Sequence, residues 1–157
     1  MSAAPDTAAA RSRGLVLLAH GARDPAWAAP FEAVALRVRA GAPGAQVRLA
    51  FLELMTPGLA EAAGELAALG CRRVDVVPVF LGLGGHVRRD VPAQVEALRQ
   101  RHPAVAFALH DAVGETERVI AAIADAALDF AALDAAAPVP PSSSPSSDPT
   151  VPGDPAR

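Results

Sequence analysis

Lysine is absent from this sequence, so every fixed positive side chain is one of its 14 arginines. The bias is compositional in kind, yet it leaves only the planar guanidinium, which grips carboxylates in a two-pronged fork, to meet anionic groups. Positive charge is also scarce as a field: the net charge of −3 offers no basic surface for a nucleic-acid backbone, so nucleic acid is not an expected partner. A single cysteine, Cys71, excludes an internal disulfide and any cysteine-based metal motif, which fits a reducing cytoplasm. No apolar run reaches the roughly 20 residues that cross a bilayer. The N-terminal "GLVLLA" is shorter than a secretory core of about 7–15 residues and runs straight into His20 and Arg23. A soluble, cytoplasmic protein with no membrane partner is expected.

What is present is apolar and regularly punctuated. At 157 residues and 52% hydrophobic, the chain can build one core but not comfortably two. Residues 1–13 are small and polar, and 135–157 hold "PVPPSSSPSSDPTVPGDPAR", with almost nothing to bury. Both ends are expected to be disordered around a single domain at 14–134. Inside that domain, compact apolar runs at Gly14–Ala19, Gln46–Leu52, Arg73–Phe80 and Val105–Leu109 alternate with segments of helical period. The alternation predicts an α/β fold, a flavodoxin-like four-stranded parallel sheet with helices on both faces.

The helical segments carry start and stop signals. Asp24-Pro25 opens a helix whose predicted apolar face is Trp27, Phe31, Val34, Ala35 and Val38, and "GAPG" closes it. Thr56 before Pro57 reads as the cap of a second helix, with Gly70 just past its end. Asp90 reads as the cap of a third, which presents Val91, Val95 and Leu98 and ends at "RHP". An alanine-rich fourth is expected over Glu115–Leu133. His102 falls at a helix C-terminus, where positive charge is favoured. Cys71, Arg72 and Arg73 fall at the start of a strand, where packing and surface roles are expected.

Each predicted strand runs into a polar group: His20 after the first, Glu53 after the second, His86 after the third, His110 after the fourth. In a parallel sheet the carboxyl ends lie along one edge, where such folds bind ligands, so residues about one βα unit apart become neighbours. Two imidazoles and a carboxylate suit a borderline divalent ion such as Co(II), Ni(II), Fe(II) or Zn(II), and three protein ligands leave coordination open. The same groups accept protons near neutral pH. Gly84 and Gly85, in "LGLGGH", permit an unusual backbone path and close approach of a bulky ligand. Arg23, Arg88 and Arg89 lie beside the histidines and suit substrate carboxylates.

"LLAHGARDP", "AFLELMTPGLAEA" and "VPVFLGLGGHVRRDVP" resemble the CbiX/SirB family of sirohydrochlorin metal chelatases, over about Gly14 to Leu133. The resemblance implies a short, single-unit form working as a homodimer. It places His20 and His86 on the family's metal-binding and catalytic histidines and Glu53 on their acidic partner. It implies an enzyme that inserts a divalent ion, Co(II) above iron or nickel, into sirohydrochlorin during cobalamin or siroheme synthesis. The metal is then a substrate, and no permanently bound cofactor is expected. One departure stands out: His110 is followed by Asp111, where family members often carry a histidine-proline pair. An iron or nickel chelatase, or a carrier that binds metal without chemistry, remains as an alternative. A nucleotide-binding flavodoxin-like domain is disfavoured because "HGARDP" lacks a glycine-rich phosphate loop.

Overall fold

The computed structural model describes residues 13–82 and 84–135, with side chains described to residue 132. The ends expected to be disordered lie, but for residues 13 and 135, outside the described residues. In chain order the elements are β1 (Arg13–Ala19), a 3-10 turn (Pro25–Ala28), α1 (Ala29–Gly41), β2 (Gln46–Phe51), α2 (Leu59–Ala68) and β3 (Arg73–Pro78). They continue with α3 (Val87–Arg101), β4 (Ala106–Leu109), a second 3-10 turn (Val113–Glu115) and α4 (Glu117–Ala135). The described residues up to 122 form one compact unit and those from 123, the later turns of α4, a second. No helix among the described residues is long and apolar enough to cross a membrane.

The four strands form one parallel sheet in the order β2-β1-β3-β4, as the alternating pattern predicts. From β1 the chain steps to one side to make β2, then crosses back beyond β1 to make β3 and β4. Because such crossovers are right-handed, this reversal sends α1 to one face and α2 and α3 to the other. The packing follows: Val16, Leu18, Val74, Val76 and Phe107 meet Leu59, Ala62, Ala63 and Leu66 of α2 and Val91, Val95 and Leu98 of α3. On the opposite face Leu15, Leu17, Val47 and Leu49 pack with Ala35 and Val38 of α1. With helices on both faces, β1 has no solvent side, which is why it reads as unbroken "LVLLA" rather than as an alternation.

Local chemistry sets most helix ends, with several shifts from expectation. Asp24 caps as predicted, accepting from Ala26 N–H at 2.9 Å ahead of Pro25, but it opens the 3-10 turn that leads into α1. The inward stripe of α1 is the buried Ala35 with half-buried Phe31 and Val38, while Trp27 and Val34, assigned to the same face, are exposed. Thr56 is not a cap: the Thr56–Pro57 bond is cis, and α2 starts after Gly58. Asp90 is not a cap either, because α3 begins three residues earlier behind His86 and leaves Asp90 in its first turn, where its charge suits the helix dipole. The end of α2 does follow its sequence signal. Gly70 takes φ +83°, with Gly70 N–H bonded to Ala67 O at 3.0 Å and Cys71 N–H to Leu66 O at 3.1 Å, a Schellman closure that carries Cys71 into the core. Burial pushes the Cys71 thiol up, against a smaller opposing pull from Arg48. His102 is the C-cap of α3, its ring 6.3 Å from that of Phe107.

Leu18 is fully buried in the centre of β1. Leu18→Ala is expected to lower unfolding stability by about 2–5 kcal/mol, read as a lower urea midpoint at unchanged slope.

Candidate functional site

The ladders of the sheet do not stop with the strands. Leu52 N–H donates to Ala19 O at 2.8 Å and Glu53 N–H to His20 O at 3.1 Å, which carries the β1·β2 pairing one step past the strand ends. On the other side of β1, Val79 N–H donates to Leu18 O at 2.9 Å. These bonds bring the segments after β1, β2 and β3 side by side at the carboxyl edge. The topological reversal of the sheet lies at β1, between β2 and β3, the place where open α/β sheets form a ligand crevice.

His20 stands at that point. Its Nδ1 lies 3.4 Å from Glu53 Oε1, and its ring centroid lies 5.6 Å from that of Phe80, tilted by 58°. Both side chains of the pair remain about half exposed, at 49% and 56%, so the pair faces solvent and stays accessible to a ligand. Two backbone devices hold it. Gly21 has φ +93°, and a Cβ placed there would sit 1.9 Å from Glu53 O, so only glycine lets the loop after β1 pass under the loop after β2. Phe51 N–H donates to Pro57 O at 2.9 Å, closing the loop that carries Glu53.

The other predicted site residues distribute differently. His86, exposed, precedes α3 and its carbonyl accepts from Arg89 and Asp90 N–H at 3.0 and 2.9 Å. Among the described residues no three His, Cys, Asp or Glu side chains gather closely enough to hold a metal ion, so His20 and Glu53 are brought together without His86. Arg88 forms an ion pair with Glu115 at 2.9 Å, and Arg23 and Arg89 are exposed. At Gly84 and Gly85 a Cβ would meet no described residue within 4 Å, so the space beside them is open to a ligand.

His110 belongs to a cluster that the sequence pattern did not reveal. Its Nε2 lies 2.8 Å from Asp75 Oδ1, and Arg73 reaches the same carboxylate through Nε at 3.2 Å and Nη2 at 2.9 Å. The strand register explains the grouping: Asp75 stands opposite Ala108, so residues 73, 75 and 110 share one face of the β3·β4 pair. The signal available was a lone carboxylate in the apolar strand "VDVVP", which called for a partner on its own face. The hydrogen bonds from Arg73 hold the Asp75 carboxyl below its ordinary value of 3.8; burial opposes this, and His110 adds to it.

A sequence signature of the CbiX family matches residues 14–129. The chain belongs to the CbiX family. Within that family, a relative from Methanothermobacter thermautotrophicus named sirohydrochlorin cobaltochelatase is 36% identical over 81 residues, covering 50% of this chain and 54% of the relative. A relative from Priestia megaterium named sirohydrochlorin ferrochelatase is 27% identical over 70 residues, 45% of this chain and 26% of the relative. The chain thus spans about half the length of the cobaltochelatase it matches. A solved CbiX protein from Marinobacter aquaeolei VT8 superposes with a TM-score of 0.70 at 32% identity, over 78% of this chain and 98% of that one. SirB from Bacillus subtilis subspecies spizizenii, solved with cobalt, superposes at 0.62 with 24% identity, over 76% of this chain and 51% of that one, a likeness of fold.

Two expectations follow for this region. Asp75 has a depressed folded pKa, so its contribution to stability is present above the unfolded value near 3.8 and is lost as pH falls through the folded value. In Asp75→Asn the thermal midpoint should therefore vary less with pH over about pH 2–5 than in the unaltered protein. Gly21→Ala should displace Glu53 from His20, visible as a lower thermal midpoint together with a changed His20 imidazole resonance in NMR.

Proposed function

We propose that this CbiX-family chain is a chelatase that inserts Co(II) into sirohydrochlorin, with two pyrrole protons released for each ion inserted. The observation that carries the reading is the His20–Glu53 pair, half exposed at the switch point of the sheet, in a chain whose family assignment covers both residues. Cobalt is favoured over iron because the cobaltochelatase relative is the more similar of the two named relatives, at 36% against 27% identity. The metal is a substrate here, and no resident cofactor is invoked. A cytoplasmic location fits a chain with a single, buried cysteine.

The pair suggests a division of labour. With Nδ1 turned toward Glu53, His20 leaves Nε2 to meet the ion, and Glu53 orients the ring. In this arrangement Glu53 also stands within reach of protons leaving the macrocycle. Because the described residues gather only two donors here, two copies facing each other at this edge would supply the remaining ligands, with His86 entering from the glycine-containing segment before α3. Arg23, Arg88 and Arg89 suit the carboxylates of the macrocycle.

The test is anaerobic incubation of the protein with sirohydrochlorin and Co(II), Fe(II) or Ni(II), following the visible spectrum of the macrocycle. His20→Ala and His86→Ala are expected to reduce Co(II) insertion by about 10²–10⁴-fold, and Glu53→Gln to a smaller extent. Insertion no faster than in the protein-free control, with metal still bound, would make the chain a carrier instead.

A further inference from the structure

Two leucines at the carboxyl edge are exposed on backbone that is unusually constrained. Leu54, directly after Glu53, is 62% exposed and has φ +62°, and Met55 N–H donates to Glu53 O at 2.8 Å across it. This is a three-residue turn in the left-handed region, a strained conformation for any residue with a branched bulky side chain and one that glycine or asparagine would adopt more readily. Leu81, directly after Phe80, is 72% exposed. Its backbone is clamped by the second 3-10 turn: a Cβ on Gly114 would lie 2.2 Å from Leu81 Cα, and Gly114 N–H donates to Phe80 O at 2.9 Å.

The two leucines follow the strands on either side of β1. Glu53 is bonded through its backbone to His20 on the β2 side, and Phe80 packs on the His20 ring from the β3 side. Because β1 lies between β2 and β3, the strands that lead into the two leucines are two strand spacings apart, roughly 10 Å, with His20 directly after the strand between them. That span is comparable with the width of a flat tetrapyrrole core. Single exposed leucines are ordinary on protein surfaces, but a strained φ retained at one and a backbone clamp at the other hold both in place before any ligand arrives.

We propose that Leu54 and Leu81 form an apolar seat on which one face of a flat macrocycle rests, fixing its nitrogens over His20. The seat positions substrate and takes no part in proton or metal transfer. The inference rests on the chelatase reading for the identity of the ligand, and it assigns selectivity for flat, apolar-faced rings to residues that carry no charge.

The experiment compares the unaltered protein with Leu54→Asn, Leu81→Ser and the two methionine variants Leu54→Met and Leu81→Met. The readouts are Co(II) insertion kinetics, fluorescence titration of metal-free sirohydrochlorin, Co(II) calorimetry and thermal melting. Leu54→Asn should melt no lower than the unaltered protein because it relieves the strained turn, yet it should weaken macrocycle binding and raise KM by about tenfold. Leu81→Ser should do the same to binding and KM. In both, kcat and Co(II) affinity should change less than twofold, and the methionine variants should stay near the unaltered KM. Unchanged macrocycle affinity in the Asn and Ser variants of an active enzyme would overturn the seat and leave the chelatase reading intact. Weakened macrocycle binding in a protein that inserts no metal would support the seat and overturn the chelatase reading. A chain that does not bind the macrocycle at all would overturn both.

Discussion

The candidate site depends on the hydrogen-bond ladders of β1. A parallel ladder sets the alignment of neighbouring strands along their whole length, so the pairings of Leu17 with Leu49 and of Leu17 with Val77 also determine which residues emerge together at the far end. Extended by the bonds from Leu52, Glu53 and Val79, the same ladders leave His20 between Glu53 and Phe80. A slip of one residue in β2 would turn Val47 and Leu49 away from α1 and carry Glu53 to the wrong side of the sheet. Core packing therefore protects the site geometry although neither His20 nor Glu53 is buried.

Around this frame, rigidity is local and has identifiable causes. The loop after β2 is held by the Phe51–Pro57 hydrogen bond, by Gly21 passing against Glu53 O, and by the turn at Leu54. The segment after β3 is held as far as Leu81 by Gly114, and beyond it Gly82, Gly84 and Gly85 meet no neighbours that a Cβ would disturb. His86 comes eight residues after the end of β3, whereas His20 and Glu53 come one and two residues after the ends of paired strands. The difference gives a physical reason why two of the three candidate ligands are brought together and the third stands apart. A loop of this kind can adapt to a ligand or to a second copy, at the expense of ordering entropy on binding.

The Arg73–Asp75–His110 cluster shows how a residue can satisfy a sequence expectation of place while serving another partner. His110 does stand after β4, at the edge expected for a ligand, but its Nε2 is taken up by Asp75, two positions back along the sheet. Asp75 is in turn committed to Arg73, so the trio is closed electrostatically, with a depressed carboxyl at its centre. That is a different environment from the half-exposed His20–Glu53 pair. The departure from the family's histidine-proline pattern at Asp111 falls beside this one histidine.

By itself the sequence determined the fold class, the four strands, the placing of polar groups after each of them and the family. These are properties of local period, of punctuation by proline and glycine, and of strands too apolar to face water. It did not determine the helix starts, which fall after Gly58 and His86 and not at Thr56 and Asp90, because capping residues compete and tertiary packing selects among neighbouring candidates within a few residues. It was equally silent on the strained turn at Leu54, the Gly114 clamp and the Asp75–His110 contact. Each of those joins residues that are distant in the chain or depends on a backbone dihedral with no composition signal, and only the assembled sheet decides which strand ends meet.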